Sequence, residues 1–131
     1  MVLLLGFGIG IFILAGLGAR NKSGMFLRER TAILTIQTIH EIEVRNQARY
    51  GHYACSLSEL TSTGRIGEDL ASRFARGYKF SVTCNAGHYA VSAVPEAYGT
   101  SGSRTFYSGQ SMVIRQNYGP EPATASSQAL Q

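Results

Sequence analysis

Few residues in this chain could do chemistry, and their spacing narrows what that chemistry would be. Cys55 and Cys84 are the only cysteines among 131 residues. A reduced pair, a metal site and a disulfide are the arrangements open to them. With no C-x-x-C spacing they make a poor zinc set. Cys55 with His52 or His88 could be written as a nucleophile and its base, but no third group stands at a recognisable spacing to orient the base. A disulfide would close a loop of about 30 residues, worth about 3–4 kcal/mol in the chain-entropy model. For an exported chain, the disulfide is the expectation. His40-Glu41-Ile42-Glu43 is the other polar cluster. Residues at i and i+3 share a helix face, so His40 and Glu43 could touch. A metal there would need two further ligands, and none is evident. The segment reads as an exposed polar face. No catalytic residue, metal ligand or cofactor is assigned.

The elements that must carry these residues follow from hydrophobic periodicity. Residues 26–49 contain no Gly or Pro and read as one long helix. Ile33, Ile36, Ile39 and Ile42 recur every three residues, with Leu34, Val44 and Ala48 beside them. A spacing of three drifts around a 3.6-residue helix, so the apolar surface winds. Two packing surfaces or one wide core face would both satisfy it. Gly51 suits a left-handed cap. Ser56-Leu57-Ser58-Glu59 fits a capping box opening a short helix, with Gly64 as a stop. A second short helix is expected over 68–76, with Glu68 and Asp69 at its start and Arg73 and Arg76 at its end, as the helix dipole favours.

The period then becomes two. Tyr78, Phe80, Val82 and Cys84 alternate with Lys79, Ser81 and Thr83. Asn85-Ala86-Gly87 makes a turn, and His88–Val94 a second strand. Arg104–Ser108 and Ser111–Gln116 supply a third and fourth, joined at Gly109-Gln110. Short connections predict an antiparallel meander. Residues 119–131 read as an extended tail. Most of the seven Tyr and six Phe fall at alternating strand positions or in the apolar helix, where core packing accounts for them.

The composition is lopsided. Charged residues are 15% of the chain, against a usual ~25%, and residues 1–19 hold none. As a helix that run would span roughly 28 Å at ~1.5 Å per residue, close to a hydrocarbon core of ~30 Å. Nothing basic precedes it, unlike a secretory signal. It reads as a membrane or filament-core helix. Gly6 and Gly10 form a G-x-x-x-G pair that permits close helix approach. Gly16, Gly18 and Gly24, with Asn21 and Ser23, predict a break in the helix between 16 and 24. Arg20, Lys22, Arg28 and Arg30 follow, which by the positive-inside rule would place the rest of the chain in the cytoplasm. Export requires the opposite, and a basic leader removed from in front of Met1 would reconcile the two. Glycines without a G-X-Y period exclude collagen, and the apolar patterning excludes wholesale disorder.

An apolar helix running into an amphipathic one, then a loop region and a sheet, resembles the type IV pilin and pseudopilin family. The likeness is most specific in RERTAILTIQTIHEIEVRNQARYGHYACSLSEL, and continues in GYKFSVTC, HYAVSAVP, RTFYSGQSMVIR and the terminal ATASSQALQ. It covers about four-fifths of the chain. The N-terminus departs from it: family members usually begin with Phe after leader removal and carry an acid at the fifth mature position, where this sequence has Met1 and Leu5. The proline often found near the end of the buried helix is also missing.

The resemblance implies an α+β fold, with a long N-terminal helix packed on a four-stranded antiparallel sheet. An anchor and filament-core segment over 1–24, a globular domain over 25–118 and a tail over 119–131 would divide the chain. It implies a structural subunit of an extracellular helical filament, with a precursor held in the inner membrane and handed to a pilus or secretion assembly machinery. Met1, Leu5, Gly6, Gly10 and Phe12 would pack in the filament core. The alternative is a minor pilin or secretion pseudopilin that primes or caps a filament. DNA is a further conceivable partner, since six bases face three acids in residues 1–50. No aromatic-basic interleaving accompanies them, and such charges more often pair with neighbouring subunits or face solvent. Motility, adhesion, DNA uptake and secretion all remain open as roles of such a filament.

Overall fold

A computed structural model describes the backbone of residues 2–62 and 77–130, with side chains from Gly24 onward. The expected helix over 68–76 and the stop at Gly64 lie outside the described residues. Helix α1 runs from Val2 to Tyr50. It ends at Gly51, whose φ of +79° is the left-handed cap expected there, and the Gly51 N–H still reaches the Gln47 carbonyl. Helix α2, Leu57–Thr61, is capped by Ser56, whose hydroxyl accepts from the Glu59 N–H. The Glu59 carboxylate reaches back to the Cys55 N–H, so the reciprocal half of the box lands one residue earlier than its usual place.

The expected break between residues 16 and 24 is not present: α1 continues through Gly16, Gly18 and Gly24. Each glycine costs only about 1 kcal/mol relative to Ala, and its N–H and C=O still complete the helical ladder. Propagating a formed helix is cheaper than nucleating a second one. Among the described residues no helix is long and apolar enough to cross a membrane. The side chains of the run 1–19, on which that expectation rests, lie outside them.

The sheet has five strands, not four: β1 Tyr78–Asn85, β2 His88–Pro95, β3 Arg104–Gly109, β4 Ile114–Tyr118 and β5 Gln128–Ala129. All neighbours are antiparallel in the order β1-β2-β3-β4-β5. The extra strand comes from the tail. Arg115 pairs with Ala129 and Gln116 with Gln128, and the Leu130 N–H bonds the Ile114 carbonyl. Two residues carry no readable period, which is why alternation could not reveal this strand. Ala86 and Gly87, at φ +53° and +82°, join β1 to β2. Positive φ at both central residues is the hairpin geometry that matches strand twist.

The core lies between α1 and one face of the sheet. Cross-strand rows Val82–Val91–Ser108–Ile114 and Phe80–Ala93–Phe106 face the helix. From α1, Ala32, Ile36, Ile39 and Ile42 are buried against them. Leu34 and Val44, each 48% exposed, lie outside that buried face. The drifting isoleucine pattern thus resolves into one wide buried face.

Candidate functional site at the helix–sheet interface

Glu29, Ala32, Ile36, Ile39, Glu43 and Asn46 alternate steps of three and four, and all six are buried, as is His40 beside them. Ionisable groups therefore sit in the stripe that holds α1 to the sheet. The expectation of an exposed polar face at His40–Glu43 is corrected: His40 is 5% exposed and Glu43 is 0%. Helix period had already put Glu43 in line with Ile36 and Ile39. What the sequence could not display was the set of sheet groups waiting for these side chains.

The first contact joins Glu29 to the start of β3. Glu29 Oε1 accepts from the Ser103 N–H and hydroxyl, both at 2.8 Å. Oε2 accepts from Arg104 Nε and Nη2 at 3.2 and 3.0 Å. The pair is nearly desolvated, with the two side chains 8% and 15% exposed. Arg104 is held further by Gln116 Oε1 through Nη1 and by the faces of Phe106 and Tyr118. The Arg104 carbonyl accepts from Tyr78 Oη at 2.7 Å. Burial first, and then the Glu29 charge, push the Tyr78 phenol well above its ordinary value.

The second contact is at His40. Its Nδ1 meets the Tyr89 hydroxyl, and its Nε2 lies 2.7 Å from Ser108 Oγ. Ser108 Oγ also lies 3.0 Å from the Val113 carbonyl. A carbonyl only accepts, so the serine proton points to Val113 and the serine oxygen accepts from His40. His40 is then the Nε2–H tautomer, and Tyr89 donates to Nδ1. A serine beside a histidine invites comparison with a nucleophile and its base. The proton order here is the reverse of what that chemistry needs, and Ser108 is 0% exposed. Burial holds the imidazole pKa below its ordinary 6.5.

The third contact is Glu43, whose Oε1 accepts from the Ala54 N–H at 2.7 Å. Oε2 is buried and makes no hydrogen bond of ordinary geometry. Burial raises the Glu43 pKa, while the Ala54 N–H and the neighbouring Asn46 amide act in the opposite sense.

Cys55 and Cys84 form the expected disulfide, with Cα atoms 5.1 Å apart. It ties the segment ahead of α2 to the end of β1 and removes Cys55 as a nucleophile. The imidazole Nδ1 of exposed His52 is 3.2 Å from the Tyr53 carbonyl, and His88 lies at the exposed β1–β2 hairpin. Among the described residues no three of His, Cys, Asp or Glu gather as a metal would require. Met1, Leu5, Gly6, Gly10, Phe12, Gly16 and Gly18 have no described side-chain placement. Of the basic residues, Arg28 bonds the Thr100 carbonyl, Arg115 the Ser127 carbonyl, and Arg104 is held by Glu29.

On the outer side of His40 a groove of about 490 Å³ runs between α1 and the β3–β4 connection, lined by Gln37, His40, Val44, Arg45, Met112 and Ile114. Met112 has φ +67° and is 48% exposed, and Val113 is 41% exposed. The chain matches no family model, no curated protein and no solved structure.

Proposed function

We propose that the chain is a structural subunit of an extracellular, type IV pilus-like helical filament. The observation that carries this reading is the uninterrupted helix Val2–Tyr50, whose second half is packed on a sheet domain. Its first half includes the uncharged run 1–19. An apolar helix that leaves its own domain needs a bilayer or other helices to cover it. We read the run as a membrane anchor before assembly and as a strand of the filament core afterwards. The disulfide Cys55–Cys84 suits an oxidising compartment.

Close approach of neighbouring helices in that core is what Gly6 and Gly10 permit. Replacing Gly6 or Gly10 with Leu is expected to stop filament formation while leaving the disulfide-bonded sheet domain folded. Electron microscopy of purified native material and of both variants tests this. Filaments of normal yield and symmetry from both variants would overturn the close-packing account. Native filaments in which this chain is a trace component would point instead to a minor or priming subunit.

A further inference from the structure

The outward side of α1 carries two surfaces that its own sheet leaves uncovered. Phe26 and Leu27 are 58% and 60% exposed and form an apolar ridge, with Arg30 exposed one turn on. Further along, the groove beside the β3–β4 connection is lined by Val44, Met112 and Ile114, and by Glu41. Among the described residues neither Arg30 nor Glu41 has an ion-pair partner, whereas Glu29, next to Arg30, is bound to Arg104. One molecule thus bears an apolar ridge with a cation and an apolar hollow with an anion, complementary in polarity and in sign of charge.

We propose that the Phe26–Leu27 ridge of one copy seats in the Val44–Met112–Ile114 groove of a second copy running parallel to it, with Arg30 of the first abreast of Glu41 of the second. The inference rests on the filament reading and gives that assembly a contact outside the 1–19 run. Arg30 and Glu41 are eleven residues apart, close to three turns, so they lie on nearly the same side of α1 and ~16 Å apart along its axis. A parallel copy displaced by eleven residues sets Arg30 against Glu41. The same displacement sets Phe26 level with Gln37 and Leu34 level with Arg45. The ridge then arrives at the groove, whose helical lining extends from Gln37 to Arg45.

Other registers satisfy less. Parallel copies without displacement would set Arg30 against Arg30, Glu41 against Glu41 and Arg45 against Arg45, all repulsive. A displacement of four residues pairs Glu41 with Arg45 but leaves the ridge level with Arg30 and Thr31, short of the groove. Antiparallel copies could match Arg30 with Glu41 in both directions, but their 1–19 runs would point opposite ways and could not stand in one bilayer. In the displaced parallel register the two surfaces are different and lie at different heights. The contact is therefore heterologous, and its axial displacement makes the operator a screw that propagates an open filament instead of closing a ring.

The test is the filament yield, by electron microscopy, of full-length Arg30→Glu, Glu41→Arg and the double reversal against the parent. Both positions are exposed, and an unchanged thermal midpoint of each variant in detergent micelles establishes that it folds. Each single reversal sets like charges together at every contact and should lower the yield at least ~tenfold, and the double reversal should bring it back to within ~threefold of the parent. Single reversals at the parent's yield, or a double reversal no better than the singles, would overturn the proposal. Direction is read from Arg30→Cys/Glu41→Cys filaments treated with a bis-maleimide too short to span the ~16 Å between the two sites of one chain. A ladder of cross-linked chains is expected, because each copy offers one thiol to either neighbour. A product that stops at the dimer would mean antiparallel packing and overturn the proposal. The reversals decide alone if the cysteine pair does not assemble. A parent chain that yields no filaments overturns the filament reading and this contact with it, whereas reversals that overturn the contact leave the parent's filaments in place.

Discussion

Glu43 is the clearest case of a single side chain with two opposed duties. One oxygen closes a buried backbone donor, and the other is buried without a bond. Replacing it with Ala leaves the Ala54 N–H orphaned and opens a cavity, which should cost about 2–4 kcal/mol. Glu43→Gln keeps an acceptor of the same shape and removes the penalised charge. Its stability relative to the parent should be highest at pH 7.5 and decline by pH 4. The sign follows from linkage. The Glu43 pKa is raised above 4.5 on folding, so its contribution is complete below 4.5 and is lost as pH rises through the folded value. His40 has the opposite sign: its pKa is lowered, so its contribution is complete above 6.5 and is lost as pH falls through the folded value. Chemical denaturation of the Gln variant and the parent across this range measures the difference. A Gln variant that loses more stability at pH 7.5 than at pH 4 would contradict the account of Glu43. The stripe of isoleucines made the helix face readable, and its phase already included residue 43. Its burial was missed because a carboxylate in line with isoleucines is more often solvated, and only a partner eleven residues away, on a loop, makes the exception.

The β1–β2 hairpin and the β2–β3 connection fix the sheet, and each rests on one backbone position. Ala86 occupies φ +53°, which an L-residue with a β-carbon adopts at a cost. Asn tolerates that region and would create the preferred Asn-Gly pair ahead of His88, so Ala86→Asn should stabilise by about 0.5–1 kcal/mol. A raised denaturation midpoint with an unchanged slope is the expected reading. Gly102 is different: a β-carbon there would collide with the Tyr78 hydroxyl. Gly102→Ala must displace Tyr78 from the Arg104 carbonyl and should cost about 1–3 kcal/mol. No effect on the midpoint would mean the loop yields freely. Both consequences start from elements that alternation located well: β1 and β2 were expected within one residue of their observed ends. β4 starts later than expected because Ser111 to Val113 belong to the connection, where Met112 takes a left-handed conformation that no residue type announces. β5 depends wholly on tertiary pairing with Arg115 and Gln116.

For the molecule as a whole, Cys55–Cys84 spans 29 positions and joins the loop after α1 to the sheet. Reducing it should lower stability by about 3–4 kcal/mol in the chain-entropy model, read as a fall in the denaturation midpoint under reductant. A midpoint unchanged by reductant would show that the loop is held without it. The three polar contacts of α1 have a mechanical meaning as well. Glu29, His40 and Glu43 are spaced eleven and three residues apart, over roughly 21 Å of helix at ~1.5 Å per residue. The partners of Glu29 and His40 on the sheet, and that of Glu43 on the loop which the disulfide ties to β1, stand at fixed, unequal intervals, so the interface works as a vernier with one matching position. Sliding α1 by a turn would leave the Glu29 carboxylate, which now has four donors, facing none, and would strand His40 and Glu43 in the same movement. A tensile load along the helix axis therefore meets all three contacts in shear at once, whereas a load that lifts one end of the helix from the sheet meets them in turn. The sheet domain is keyed to its shaft against axial slip, and it is by peeling that the joint would fail.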